Sequence, residues 1–151
     1  YFFQPPLGRG YDDGLVAALA VCDMLDRAHG MTLADLKRAL PKTYQSPTMS
    51  PHCADEKKYG VVERIVAEYQ AIADQGGTVA GQSIRDLVTV NGVRVTLADG
   101  TWGLVRASSN KPELVVVVES PISLEHRDAM FRDIEARLAR FPEVGAWNQK
   151  I

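Results

Sequence analysis

Cysteine and histidine are scarce: two Cys and three His in 151 residues. Cys22 and Cys53 form no CxxC pair and no disulfide framework, and neither they nor His29, His52 and His126 stand at metal-ligand spacing, so a resident metal site is not expected. Cys22 falls on a helical face and reads as a small buried hydrophobe. The histidines read as surface or capping residues. Long apolar runs are also lacking. None reaches the ~20 residues a membrane span needs, and no secretory signal is visible, so a cytoplasmic setting is expected. Nor is there excess positive charge. Seventeen Lys and Arg face nineteen Asp and Glu, a balance without the footprint of a nucleic-acid binder or a polybasic membrane anchor. With 46% hydrophobic and 24% charged residues the chain is globular, long enough for one ordinary domain or two small ones.

The periodic segments follow in order. Tyr1–Phe3 suits a strand, and three aromatics at a terminus suggest a strand cut in its middle, hence a piece of a longer protein. Gln4 to Tyr11, with Pro and Gly, is a loop. Asp12 and Asp13 cap a helix carrying Leu15, Leu19 and Cys22, which Gly30 ends. Thr32 and Asp35 form a capping box before Leu33, Leu36 and Leu40. Lys42 to Ala54 holds two prolines and no hydrophobic period, so it reads as an extended linker or exposed connecting strand. A domain boundary is set here, at 46/47.

A long helix is expected from Asp55 to Asp74, with Tyr59, Val62, Ile65, Val66, Tyr69 and Ile72 on one face. Four strands follow. Asn91-Gly92 signals a two-residue hairpin and Asp99-Gly100 a second tight turn. The third strand runs from Thr101 to Ala107 and the fourth from Glu113 to Glu119. Ser123 caps a last helix that buries Phe131, Ile134, Leu138 and Phe141. The tail from Pro142 is expected to be loose. Helix, four antiparallel strands and helix make a two-layer α+β domain.

Between the last two strands lies a polar knot: Arg106, Ser108, Ser109, Asn110 and Lys111. On composition alone a solvated hairpin loop accounts for it. Two details favour a phosphate cradle. The loop has no glycine, and Arg106 stands at a strand end, where a rigid element aims its planar fork at two phosphate oxygens. Ser and Asn add short donors and Lys111 adds charge. Trp102 reads as a core residue rather than a sugar platform, Asp12 and Asp13 as a cap rather than an acid/base pair, and Arg9 as solvated.

Asp99 to Ser120, "DGTWGLVRASSNKPELVVVVES", resembles the signature of the last domain of the phosphohexomutases, and within them the bacterial phosphomannomutase/phosphoglucomutase group. There the form is D-G-x-W-G-L-V-R-x-S-N-T-x-P followed by an apolar strand. "YFF" followed by "YDDG" at Tyr11–Gly14 is similar to the stretch after that family's sugar-reading loop. The resemblance implies that residues 1–46 end the α/β third domain. It makes residues 47–151 a fourth domain, a four-stranded antiparallel sheet with two helices, similar to one repeat of the TATA-box-binding-protein fold.

It also implies an isomerase of carbohydrate metabolism that interconverts hexose 1- and 6-phosphates, with glucose 1-phosphate or mannose 1-phosphate as substrate. A phosphoserine, Mg²⁺ and a hexose 1,6-bisphosphate activator would belong to N-terminal domains of the same protein. The Glu that reads sugar hydroxyls would precede Tyr1, within a Gly-Glu-x-Ser-Gly-His stretch. This segment would then hold no catalytic residue and no metal, and would be inactive alone. Arg106 and Ser108 fall on the motif's Arg and first Ser, whose loop grips the phosphate that is not being transferred. Ser109 replaces its Asn and Asn110 its Thr; Lys111 fills a variable position. Two other readings stay open. One is a phosphoglucosamine mutase-type relative, whose usual loop (R-P-S-G-T-E-P) carries a Gly absent here. The other is a non-enzymatic interaction module.

Overall fold

The computed structural model describes Pro5, Pro6 and residues 8–151, so the strand expected at Tyr1–Phe3 lies outside the described residues. The chain divides into two compact units, residues 1–42 and 43–151.

In the first unit, α1 (Gly14–Arg27) starts where the sequence places its cap. The Asp13 carboxylate accepts from the amides of Leu15 and Val16 at 3.0 and 3.1 Å, satisfying donors that the first helical turn leaves free. Gly30, at φ +89°, ends the following turn. α2 (Leu33–Arg38) begins on a full capping box between Thr32 and Asp35. The apolar stripe of α1 is not buried: Leu15 and Leu19 are 71% and 61% exposed. Cys22 is exposed as well, which corrects its reading as a core residue. The pattern is that of an amphipathic helix, with Val16, Ala20 and Leu25 of the stripe half-buried.

The second unit is an antiparallel sheet with helices on one face. Its elements are β1 (Tyr44–Gln45), α3 (Asp55–Asp74), β2 (Thr78–Val79), β3 (Gln82–Val88), β4 (Val93–Leu97), β5 (Trp102–Ala107), β6 (Leu114–Ser120) and α4 (Leu124–Leu138). The strand order is β1-β6-β5-β4-β3-β2. The four expected strands form the centre, and the two-residue β1 and β2 extend each side. Alternation decides the faces. Val93, Val95, Leu97, Val105, Ala107, Leu114, Val116 and Val118 point into the core, where they meet Val61, Ile65 and Tyr69 of α3 and Met130, Ile134 and Leu138 of α4. Tyr69 also ties the two helices: its hydroxyl donates to Asp133 at 2.7 Å, and the Arg137 guanidinium, bonded to the same carboxylate, lies 4.6 Å from its ring.

Four expectations need correction. The segment read as an extended linker or exposed connecting strand runs beside β6 as part of the sheet and is partly buried. Met49 and Cys53 are fully buried, Met49 exchanges backbone hydrogen bonds with Val116, and Pro51 accepts from Leu114. Tyr44 and Gln45 pair with Ser120 and Glu119 within the second unit. The tail is not loose: Trp147 packs edge-on against Phe131, centroids 5.5 Å apart, and Asn148 accepts from the Ser50 amide. On α3, Tyr59 is 56% exposed while Lys58 is buried. The first hairpin loop is four residues, Thr89 to Gly92, with only Gly92 at positive φ, so it is not the two-residue turn in which both central residues need φ > 0.

At the start of β5 a polar cluster closes the second turn. The Asp99 carboxylate accepts from the Thr101 amide and hydroxyl at 2.8 and 2.9 Å and from Gln82 at 2.8 Å, and lies 2.6 Å from Nδ1 of His126. Burial pushes this carboxyl up, but the bonds from Gln82, His126 and Thr101 outweigh it and hold it at about 2. The Thr101 hydroxyl passes the chain on to Ser120 at 2.8 Å. His126 thus serves a turn rather than a reaction.

Two outcomes follow from this packing. Asp99 has a folded value below its ordinary 3.8, so its stabilisation is complete above that pH and is lost as pH falls through about 2. Urea unfolding between pH 5 and 2 should show a loss of about 2 kcal/mol from this group, and Asp99→Asn should flatten that part of the profile. Gly92 is at φ +93°, and a Cβ there would stand 2.2 Å from the Val105 carbonyl oxygen. Gly92→Ala should therefore cost about 2–4 kcal/mol in the same measurement.

Candidate functional site

The five residues of the polar knot sit on and beside the β5–β6 hairpin. Ala107 pairs with Leu114 and Arg106 with Val115, so the loop spans residues 108–113. Its neck is closed by the Ser108 amide donating to the Glu113 carbonyl at 3.0 Å, and an inner turn by the Glu113 amide donating to the Lys111 carbonyl at 2.8 Å. These bonds replace the glycine turn that the sequence lacks. Ser108 is buried in the neck, whereas Ser109, Asn110, Lys111 and Pro112 are exposed.

Arg106 lies one register step before the loop, on the sheet face turned away from α3 and α4. Its neighbours on that face are apolar or cationic: Val115 opposite on β6, Leu104 two residues back on β5, and Arg94 opposite Leu104 on β4. Arg94 itself is stacked on the Trp102 ring at 4.6 Å, so Trp102 lies on the open face of the sheet and not in the core. The guanidinium of Arg106 makes one hydrogen bond, from Nη1 to the Ala107 carbonyl at 3.1 Å. That bond turns it toward the loop. A guanidinium has five N–H donors; among the described residues no carboxylate pairs with this one, and the rest of its fork is unengaged. Gly92 lets the neighbouring hairpin approach this point, since a side chain there would meet the Arg106 Cα at 2.7 Å.

The hairpin therefore brings together Arg106 and the exposed Ser109, Asn110 and Lys111, with Ser108 in the wall. This is a set of donors and positive charge with no acid among the five. It suits an anion with several acceptor oxygens. No group of three His, Cys, Asp or Glu side chains among the described residues could hold a metal. No helix of the described residues is long and apolar enough to cross a membrane.

Sequence reasoning missed Lys58. Its ammonium is buried beneath the loop, donating to the Lys111 carbonyl at 3.1 Å and to Asp55 at 2.6 Å. A lysine in the first turn of a polar helix start gives no signal of burial. The Asp99 cluster was more accessible, because Asp-Gly-Thr announces an Asp that bonds its own backbone two residues on.

Residues 52–137 match the family "Phosphoglucomutase/phosphomannomutase, C-terminal domain". Among curated relatives, a probable phosphoglucosamine mutase of Methanothermobacter thermautotrophicus is 35% identical over 71% of this chain and 21% of its own length. A phosphomannomutase/phosphoglucomutase of Pseudomonas putida is 32% identical over 77% of this chain and 22% of its own. A phosphopentomutase of Thermococcus kodakarensis is 31% identical over 72% and 22%. The chain thus spans about a fifth of the length of the curated relatives it matches. A crystal structure of a phosphoglucomutase/phosphomannomutase family protein from Burkholderia thailandensis shares the fold, with a TM-score of 0.62 and 23% identity over 91% of this chain and 26% of that one. By the match over residues 52–137, the chain belongs to the phosphoglucomutase/phosphomannomutase family and carries its C-terminal domain.

Proposed function

We propose that this chain is the substrate-phosphate-binding part of a phosphomannomutase/phosphoglucomutase. The whole protein interconverts hexose 1-phosphate and hexose 6-phosphate through a bisphosphorylated sugar, with glucose 1-phosphate or mannose 1-phosphate as substrate. Residues 1–46 are the end of its third domain and 47–151 its fourth. Mg²⁺, the phosphoserine and the bisphosphate activator belong to the rest of the enzyme. Arg106, Ser108, Ser109, Asn110 and Lys111 hold the phosphate that is not in transfer, so the contribution is positioning rather than bond-making.

The carrying observation is the Arg106 fork, spending one N–H on Ala107 and facing no carboxylate, beside a loop of exposed short donors. A half-buried guanidinium with donors to spare is poised for a charge-assisted, two-pronged grip on a phosphate. The relatives add a second argument. Mutases named for a hexose, an amino sugar and a pentose match this segment at 31–35% identity. What such substrates share is the phosphate and not the sugar, so a segment common to them serves the phosphate. For the same reason a phosphoglucosamine mutase-type enzyme is the second reading, favoured by the 35% identity of one relative.

Titration of the 151-residue chain followed by amide NMR tests the binding role. Glucose 1-phosphate, mannose 1-phosphate and inorganic phosphate should each shift Arg106 to Lys111, while glucose leaves them still. A loop silent to all three phosphates would make this segment an interaction module instead. In the full-length enzyme Arg106→Ala should lower kcat/KM roughly 10- to 100-fold, since a hydrogen bond to a charged group is worth about 1.5–3 kcal/mol. Asn110→Ala should cost less than tenfold. The 151-residue chain alone should show no mutase turnover in a coupled assay.

A further inference from the structure

Lys58 is buried where physical chemistry disfavours a cation. Its side chain is 4% exposed, and it lies in the first turn of α3, at the positive end of the helix dipole. Asp55, the carboxylate paired with it among the described residues, is itself 63% exposed, so water weakens that compensation. The ammonium has three N–H groups. One goes to Asp55 at 2.6 Å, one to the Lys111 carbonyl at 3.1 Å, and the nitrogen lies 5.3 Å from the centre of the Tyr59 ring. Of these contacts, only the one to Lys111 reaches beyond α3.

The Lys111 carbonyl also accepts from the Glu113 amide at 2.8 Å. A carbonyl oxygen has two lone pairs, and here both are taken. The next carbonyl, of Pro112, accepts from the Cys53 amide at 2.9 Å. Two successive carbonyls are thus turned toward the start of α3. An anion approaching the outer face of the loop meets the side chains of Ser109, Asn110 and Lys111 rather than these oxygens.

We propose that Lys58 is the positioning residue of the phosphate loop. From a buried site behind the loop it fixes the Lys111 carbonyl inward and places a charge behind the anion, without touching the anion. The proposal rests on reading the loop as a phosphate site, but its first half, the anchoring of the loop, is separable from that reading.

The test uses the 151-residue chain and inorganic phosphate. In the wild type, the Lys58 ammonium should give a resolved, slowly exchanging ¹⁵N–¹H signal that moves with the loop amides as phosphate is added. Averaging of that signal with those of exposed lysines would overturn the proposal without any variant. Lys58→Met, close in size and uncharged, should keep the thermal midpoint within a few degrees, speed exchange of the Glu113 amide and weaken phosphate binding roughly three- to tenfold. Lys58→Arg should recover part of the affinity. Unchanged Glu113 exchange in Lys58→Met overturns the anchoring role, and unchanged phosphate affinity overturns the electrostatic one. If exchange speeds up but phosphate shifts nothing in the wild type, the phosphate reading of the loop falls and the anchor stands.

Discussion

The register between β5 and β6 constrains every other feature of the second unit. With Arg106 opposite Val115 and Ala107 opposite Leu114, Gly103, Val105 and Ala107 face the helices while Trp102, Leu104 and Arg106 face away. A slip of one residue would drive the guanidinium into the core and leave valines in water. The hydrophobic cost of that exchange, about 1.5–3 kcal/mol for each large side chain, holds the arginine outward. Gly103 contributes from the core side. A Cβ there would come within 2.6 Å of Met130 and Ile134, so its absence lets α4 lie close on the strand.

The two ends of β5 are treated in opposite ways. At the Asp99 end the carboxylate is surrounded by donors from Gln82, Thr101 and His126, and the turn is stiff because its polar groups are satisfied from within. At the Arg106 end most donors of the charged group have no partner among the described residues, and the loop beyond it closes on its own backbone and on Lys58 and Cys53. A strand fixed at one end and chemically open at the other suits the proposed role, in which Arg106 meets a phosphate without being reorganised by it.

The centre of this fold was legible because its residues repeat. Valines at alternate positions, Asp99-Gly100 before a strand and apolar spacing along α3 and α4 each state a local preference that packing then confirms. What escaped has a common cause. Residues 44–52 pair with β6 through short, irregular stretches, and at Ser50 to His52 also with the tail at 145–148; such pairing needs no alternation, and prolines are tolerated there because it does not use every amide. The tail around Trp147 is held by pairing with Thr48 to His52 and by Phe131, partners of high sequence separation that no short window contains. On α1 the helical spacing was read correctly, but Cys22 was taken as buried and is exposed, since periodicity reports a preference and not a partner. Of the candidate site, the grouping of Arg106 with the loop's short donors could be read from the chain, whereas the burial of Lys58 against the Lys111 carbonyl became visible only in the fold.

The margins of the sheet have a consequence for the behaviour of the molecule in crowded solution. On one rim the chain carries Pro47 and Pro51 beside β6; on the other, β2 has only two residues, and β3 is interrupted by an irregularity in register between Ile84 and Asp86, at the charged Arg85. Neither rim presents a long, flat row of vacant amides, so a second copy finds no template on which to extend the sheet. Self-association into fibrils is thereby discouraged by backbone geometry, in a chain whose net charge of -2 gives little mutual repulsion to do the same.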